Sequence, residues 1–76
     1  MKNRELSEIF GRMADILEFK GENPFKVRSY YRAAQTLETL TEDINKIVAE
    51  DRLRELPGIG EGIAKKIKEY LSLIHI

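Results

Sequence analysis

The stretch Leu56-Pro57-Gly58-Ile59-Gly60 constrains this chain more than any other. Proline fixes its own φ and glycine accepts conformations closed to other residues, so Pro-Gly at the centre of five residues specifies a tight turn. Behind Glu61-Gly62, the run Ile63-Ala64-Lys65-Lys66-Ile67 carries apolar residues at helical spacing, so the turn opens a helix. The first backbone N–H groups of a helix lack intrahelical acceptors and point outward, where they form a seat for a phosphate. Gly58 and Gly60 are expected to let the backbone bend sharply and lie close against a ligand.

The rest of the chain reads as the support for that turn. With 76 residues there is room for one small domain, and no apolar run approaches the roughly 20 residues of a membrane span. Cysteine is absent, so packing alone must hold the fold, and the N-terminal Met1-Lys2-Asn3-Arg4-Glu5 lacks the apolar segment of a signal peptide. A cytoplasmic location is the expectation.

Leu6, Ile9, Phe10, Met13, Ile16 and Leu17 recur every three or four residues and predict a first helix over 4–20, with Asn3 as its cap and Gly21 as its left-handed C-terminal residue. Asn23-Pro24 signals a second helix, ending near Glu38, whose buried side is Val27, Tyr30, Tyr31, Ala34 and Leu37. On that helix Lys26 and Tyr30 share one flank, while Arg28 and Arg32 fall on the polar side. Thr41 is expected to cap a short helix carrying Ile44, Ile47 and Val48, and Asp51 to cap another over 52–56 with Leu53 and Leu56 inward. The last helix carries Ile63, Ile67, Tyr70, Leu71 and Ile74 on one side. The predicted fold is all-α: a compact bundle of four to five short helices without strands or repeats.

Thirteen basic and thirteen acidic side chains cancel, so overall charge says nothing of a polyanionic partner. Their distribution is uneven. Lys20, Lys26, Arg28 and Arg32 face Glu22 alone in their stretch, residues 38–55 are mostly acidic, and Lys65, Lys66 and Lys68 cluster behind the turn. Two local basic patches predict binding over a short footprint.

A helix, then Leu-Pro-Gly-Ile-Gly, then a helix with Ile63, Ala64 and Ile67 at fixed offsets resembles the helix-hairpin-helix motif, here over about 52–71. Together with the segments Gly21 to Ala34 and Leu53 to Ala64, the chain resembles the N-terminal domain of the family X DNA polymerases, bacterial and archaeal members above all. The resemblance implies an excised part of a longer polymerase that binds gapped or nicked duplex DNA as a monomer, through backbone phosphates and a 5′-phosphate. Leu56, Pro57, Gly58, Ile59 and Gly60 of the hairpin, with Gly62 at the start of the next helix, are expected to offer amides to DNA, and Lys65, Lys66 and Lys68 to add charge; by position the resemblance assigns Lys26 and Tyr30 to the 5′-phosphate pocket. It also implies that the carbonyls of Arg54, Leu56 and Ile59 face a monovalent cation; no other cofactor is expected. Gly62 departs from the family by standing where a phosphate-binding lysine occurs, and Glu61 adds a negative charge.

Lys66 matches the Schiff-base lysine of the family's 5′-deoxyribose-phosphate lyases. It lies about 80° from the centre of the last helix's buried side, so a partly desolvated amine, with Lys65 and Lys26 disfavouring its protonation, is the enzymatic alternative. The other alternative is a protein-interaction module that kept the fold. His75 is the chain's lone histidine and has no Cys or second His beside it for a metal-hydrolase site. The polymerase's paired aspartates are absent as well, because Asp15, Asp43 and Asp51 are scattered.

Overall fold

In this computed structural model residues 1–74 are described, so His75 lies outside them. Helices form where apolar residues recur at helical spacing: α1 (Asn3–Phe19), α2 (Pro24–Thr39), α3 (Ile44–Ala49) and α4 (Glu61–Ile74), with a 3-10 turn at Leu53–Glu55 before α4. No strand occurs among the described residues, and the all-α expectation holds.

α1 and α2 run antiparallel, pinned near one end by Ser7 Oγ, which donates to the Ala34 carbonyl at 2.7 Å, and near the other by Tyr31. Gly21 turns the chain between them at φ +75°, with its N–H on Glu18 and that of Glu22 on Leu17, so the expected left-handed C-terminal residue is present. Asn23 caps α2 by accepting from the Phe25 N–H at 2.8 Å. Phe10 is the centre of the core. Its ring tilts against Tyr30 and Tyr70, with centroids at 5.5 and 5.3 Å, and so joins α1 to α2 and α4.

Several local expectations fail, each because a distant element claims the residue. Asn3 is inside α1 and buried; its Nδ2 donates to the Glu42 carbonyl at 2.7 Å and its Oδ1 accepts from the Ile44 N–H at 2.9 Å. It caps nothing on its own helix and instead holds the entry of α3. Asp43, rather than Thr41, caps α3 by accepting from the Asn45 N–H. Asp51 does not start the next helix: at φ +55° it ends α3 in the same left-handed manner as Gly21 ends α1, with Arg52 N–H on the Ile47 carbonyl. The apolar stripe of α1 is narrower than its sequence suggests, since Leu6, Phe10, Ala14 and Leu17 are buried while Ile16 is half exposed. On α2, Ala33 occupies the interior and Tyr31 stays at the surface. The Tyr31 hydroxyl meets Asp15 at 2.5 Å and Glu18 at 3.2 Å, and these bonds hold the phenol protonated far above the usual tyrosine range.

Arg52 ties the α3 region together by pairing with Glu42 and Glu50. The Arg52 bond holds the Glu42 carboxyl below its ordinary value, so this contribution is present above the usual glutamate range and is lost as pH falls through the lowered value.

Removing the Asn3 side chain strands the buried Ile44 N–H. Asn3→Ala should therefore cost about 1–3 kcal/mol, lowering the melting temperature by roughly 4–8 °C per kcal/mol in a circular dichroism melt. The exposed Arg4→Ala serves as the control, and an equal shift in both variants would refute the tether.

Candidate nucleic-acid interface

Leu56, Pro57, Gly58 and Ile59 form a type II turn: proline leads, Gly58 takes φ +75°, and the Ile59 N–H closes onto the Leu56 carbonyl at 3.2 Å. The buried Ile59 side chain keys the turn into the core, and the Thr36 hydroxyl donates to the Pro57 carbonyl at 2.9 Å. Gly60 then accepts the first helical bond, from Ala64 N–H at 2.9 Å.

That wiring decides which amides are available. Leu56 N–H is spent on Leu53, Ile59 N–H on the turn, and proline has none, so these three shape the hairpin without donating. The N–H groups of Gly58, Gly60, Glu61, Gly62 and Ile63 meet no hydrogen-bond acceptor among the described residues. Three of these residues start α4, whose dipole adds partial positive charge there.

An open cleft of about 410 Å³ lies beside these amides, lined by Lys26, Ser29, Tyr30, Gly58, Gly60, Gly62, Ile63 and Lys66. Six of the residues assigned from sequence thus converge from two helices and a turn. Five do not: Leu56, Pro57 and Ile59 shape the turn, and Lys65 and Lys68 line a different cleft with Arg54, Asp51, Glu55 and Glu61, because at 100° per residue they project from another side of α4. Glu61 goes with them, so its charge lines the cleft that Lys26 and Lys66 do not share. Tyr30 is only 6 % exposed and packs on Phe10, so it can offer an edge to the cleft but no open face for stacking on a base.

Gly58 and Gly60 also differ in role. Only Gly58 has positive φ. A Cβ at Gly60 or Gly62 would meet nothing within 4 Å, so these glycines leave room at the amides instead of bending the chain or admitting a neighbouring helix. Ser29 and Ile63 complete the lining and were legible, since Ser29 follows Lys26 by one helical turn. Arg32 was not: its side chain crosses the turn at Gly58, a contact between segments far apart in sequence.

Lys66 pairs with Glu69 at 3.4 Å across one turn of α4. That bond, reinforced by the Glu69 charge, raises its pKa, opposite to the depression expected from Lys65 and Lys26. The group therefore faces the cleft as an ammonium at neutral pH.

The carbonyls of Arg54 and Ile59 accept no backbone hydrogen bond among the described residues, and that of Leu56 accepts one while keeping a second lone pair. Neutral carbonyl oxygens are the donor type that a hard cation takes.

A helix-hairpin-helix domain family matches residues 1–73. The chain belongs to that family. The chain is also similar to a stretch of DNA polymerase/3'-5' exonuclease PolX of Bacillus subtilis (strain 168), 35 % identical over 72 residues, 95 % of this chain. DNA polymerase lambda of Arabidopsis thaliana is 34 % identical over 70 residues, 92 % of this chain. In both, the similarity falls in the N-terminal region of a family X polymerase, and the chain spans about 12 % of each relative's length. No helix of the described residues is long and apolar enough to cross a membrane.

Because the folded pKa of Lys66 is raised, its pairing contributes fully below the usual lysine range and fades as pH rises through the raised value. Glu69→Gln should move the Lys66 ammonium titration, followed by NMR of the side-chain nitrogen, to lower pH. An unchanged titration would show that Glu69 does not set it.

Proposed function

We propose that this helix-hairpin-helix binds DNA without reading sequence, by seating a backbone phosphate, and preferentially a 5′-phosphate at a gap or nick, in the cleft between α2 and the hairpin. The observation that carries this reading is one cleft lined by Gly58, Gly60 and Gly62, whose amides are unpaired among the described residues, and by Lys26 and Lys66. An anion there meets donors, a helix N-terminus and two charges together, while no base-reading element lies beside it. The family match and the polymerase relatives support DNA as the polyanion.

In this reading the chain is the DNA-gripping part of a family X polymerase, acting as a monomer in the cytoplasm. Arg54, Leu56 and Ile59 would hold a monovalent cation with their carbonyls, which would offset phosphate charge at the hairpin. Lys65 and Lys68, on a separate side of α4, would meet a neighbouring stretch of backbone and not the phosphate in the cleft.

A lyase reading has one observation in its favour, that Lys66 lines the same cleft. Attack on the C1′ aldehyde of a 5′-deoxyribose phosphate requires the free amine, and Glu69 favours the ammonium. Borohydride trapping on a 5′-incised abasic duplex decides: a covalent adduct lost in Lys66→Ala would establish the lyase.

For binding, fluorescence anisotropy with a gapped duplex should show tighter association when the 5′ end is phosphorylated, with log K falling against log salt at a slope of about −2 to −4. Equal affinity for the two gaps would overturn the phosphate assignment. Gly62 has ordinary φ and open space at its Cβ, so Gly62→Lys should fold normally and add a charge to the cleft. It should bind roughly three- to tenfold tighter at low salt, with a slope steeper by about 1.

A further inference from the structure

We propose that Arg32 is a positioning residue for the phosphate seat: its aliphatic stem roofs the turn at Gly58 and, with Thr36, holds the hairpin amides in their outward orientation. The inference rests on the function proposed above.

Arg32 and Thr36 stand one helical turn apart on α2 and so address the same object. Thr36 takes hold of the Pro57 carbonyl by a 2.9 Å hydrogen bond. Arg32 covers the next residue. The position a Cβ would occupy at Gly58 lies 2.7, 2.6 and 2.5 Å from Arg32 Cγ, Cδ and Nε, so the stem passes directly over the glycine at the place where a side chain would stand. Type I and type II turns differ in the orientation of the peptide between the two central residues, so flipping that peptide would re-aim its own N–H. That amide belongs to Gly58 and is one of the unpaired donors at the cleft. Thr36 holds the carbonyl side of this peptide, and the Arg32 stem packs over its Gly58 end.

Arg32 Nε, the first guanidinium nitrogen, is among the atoms over Gly58, yet Arg32 is not one of the residues that line the cleft of Lys26 and Lys66. Arg32 lines a cleft with Gln35, Thr36 and Pro57, a different one from that lined by Lys26 and Lys66. Its contribution to the phosphate therefore runs through the turn.

Comparing Arg32→Met with Arg32→Ala tests this, since both remove the charge and only alanine removes the stem; methionine places Cγ, Sδ and Cε where arginine has Cγ, Cδ and Nε. Amide signals of Gly58, Gly60 and Gly62 in the free protein read the clamp without DNA. They should move in Arg32→Ala and stay near wild type in Arg32→Met. On the 5′-phosphorylated gapped duplex, Arg32→Ala should bind about fivefold more weakly than Arg32→Met, a loss near 1 kcal/mol, at the same salt slope. Thr36→Val, which keeps shape and loses the donor, should move the same amides. Equal binding by the two Arg32 variants with unmoved amides would overturn the clamp. So would a slope shallower by about 1 in both variants, which would make Arg32 a direct phosphate ligand. If the wild-type protein fails to bind the duplex, the phosphate-seat reading falls, while the free-protein amides still decide whether the clamp exists.

Discussion

The hairpin depends on one backbone conformation, the positive φ of Gly58. An L-residue there would cost about 1–2 kcal/mol from the clash of its Cβ with the following carbonyl, and would also meet the Arg32 stem. Given that conformation, Ile59 can close the turn onto Leu56 and drop its side chain into the core, and the chain leaves in the direction from which α4 starts. The core thereby sets the direction of the amides. The same residue that completes the turn's hydrogen bond is buried against the helices that carry Lys26 and Lys66, so donors and charges share one rigid frame.

Electrostatics follow from that frame and not from composition. A chain with no net charge still presents a cationic cleft, because α4 divides its polar residues around its axis: Lys66 on the cleft, and Glu61 beside Lys65 and Lys68 elsewhere. Glu69 tempers Lys66 without removing its charge. An ammonium already paired with a carboxylate gives up part of its attraction when a phosphate arrives, so affinity should come from the convergence of several weak donors. Such a site suits a short footprint better than a long groove.

Most of this was legible where the determinants are local. Helix periods, the Asn23 cap, the Gly21 ending and the Pro-Gly turn are each written within a few residues, and each is found in the structure. The misreadings share a cause. Asn3 carries a capping side chain and sits at a helix start, yet the unsatisfied groups around Glu42 and Ile44 take it. Asp51 looked like a helix start because Asp caps so often, but Asp also tolerates the left-handed conformation that ends α3. Tyr30 could be placed beside Lys26 by helical arithmetic, while the ring of Phe10 that covers it comes from another helix. Arg32 read as solvated for the same reason: only the tertiary fold brings Gly58 beneath it.

Gly60 and Gly62 carry the argument one step further. Neither has a positive φ, and a Cβ at either would meet nothing within 4 Å, so packing at that atom and backbone geometry do not ask for glycine. Glycine at such places loses conformational entropy on folding that alanine would not. Gly60 beside the unpaired amides suits the proposed seat for a phosphate oxygen, whereas the open space at Gly62 has room for a lysine. Within the proposed seat, Gly60 therefore speaks for a ligand more directly than Gly58, which the turn demands with or without one.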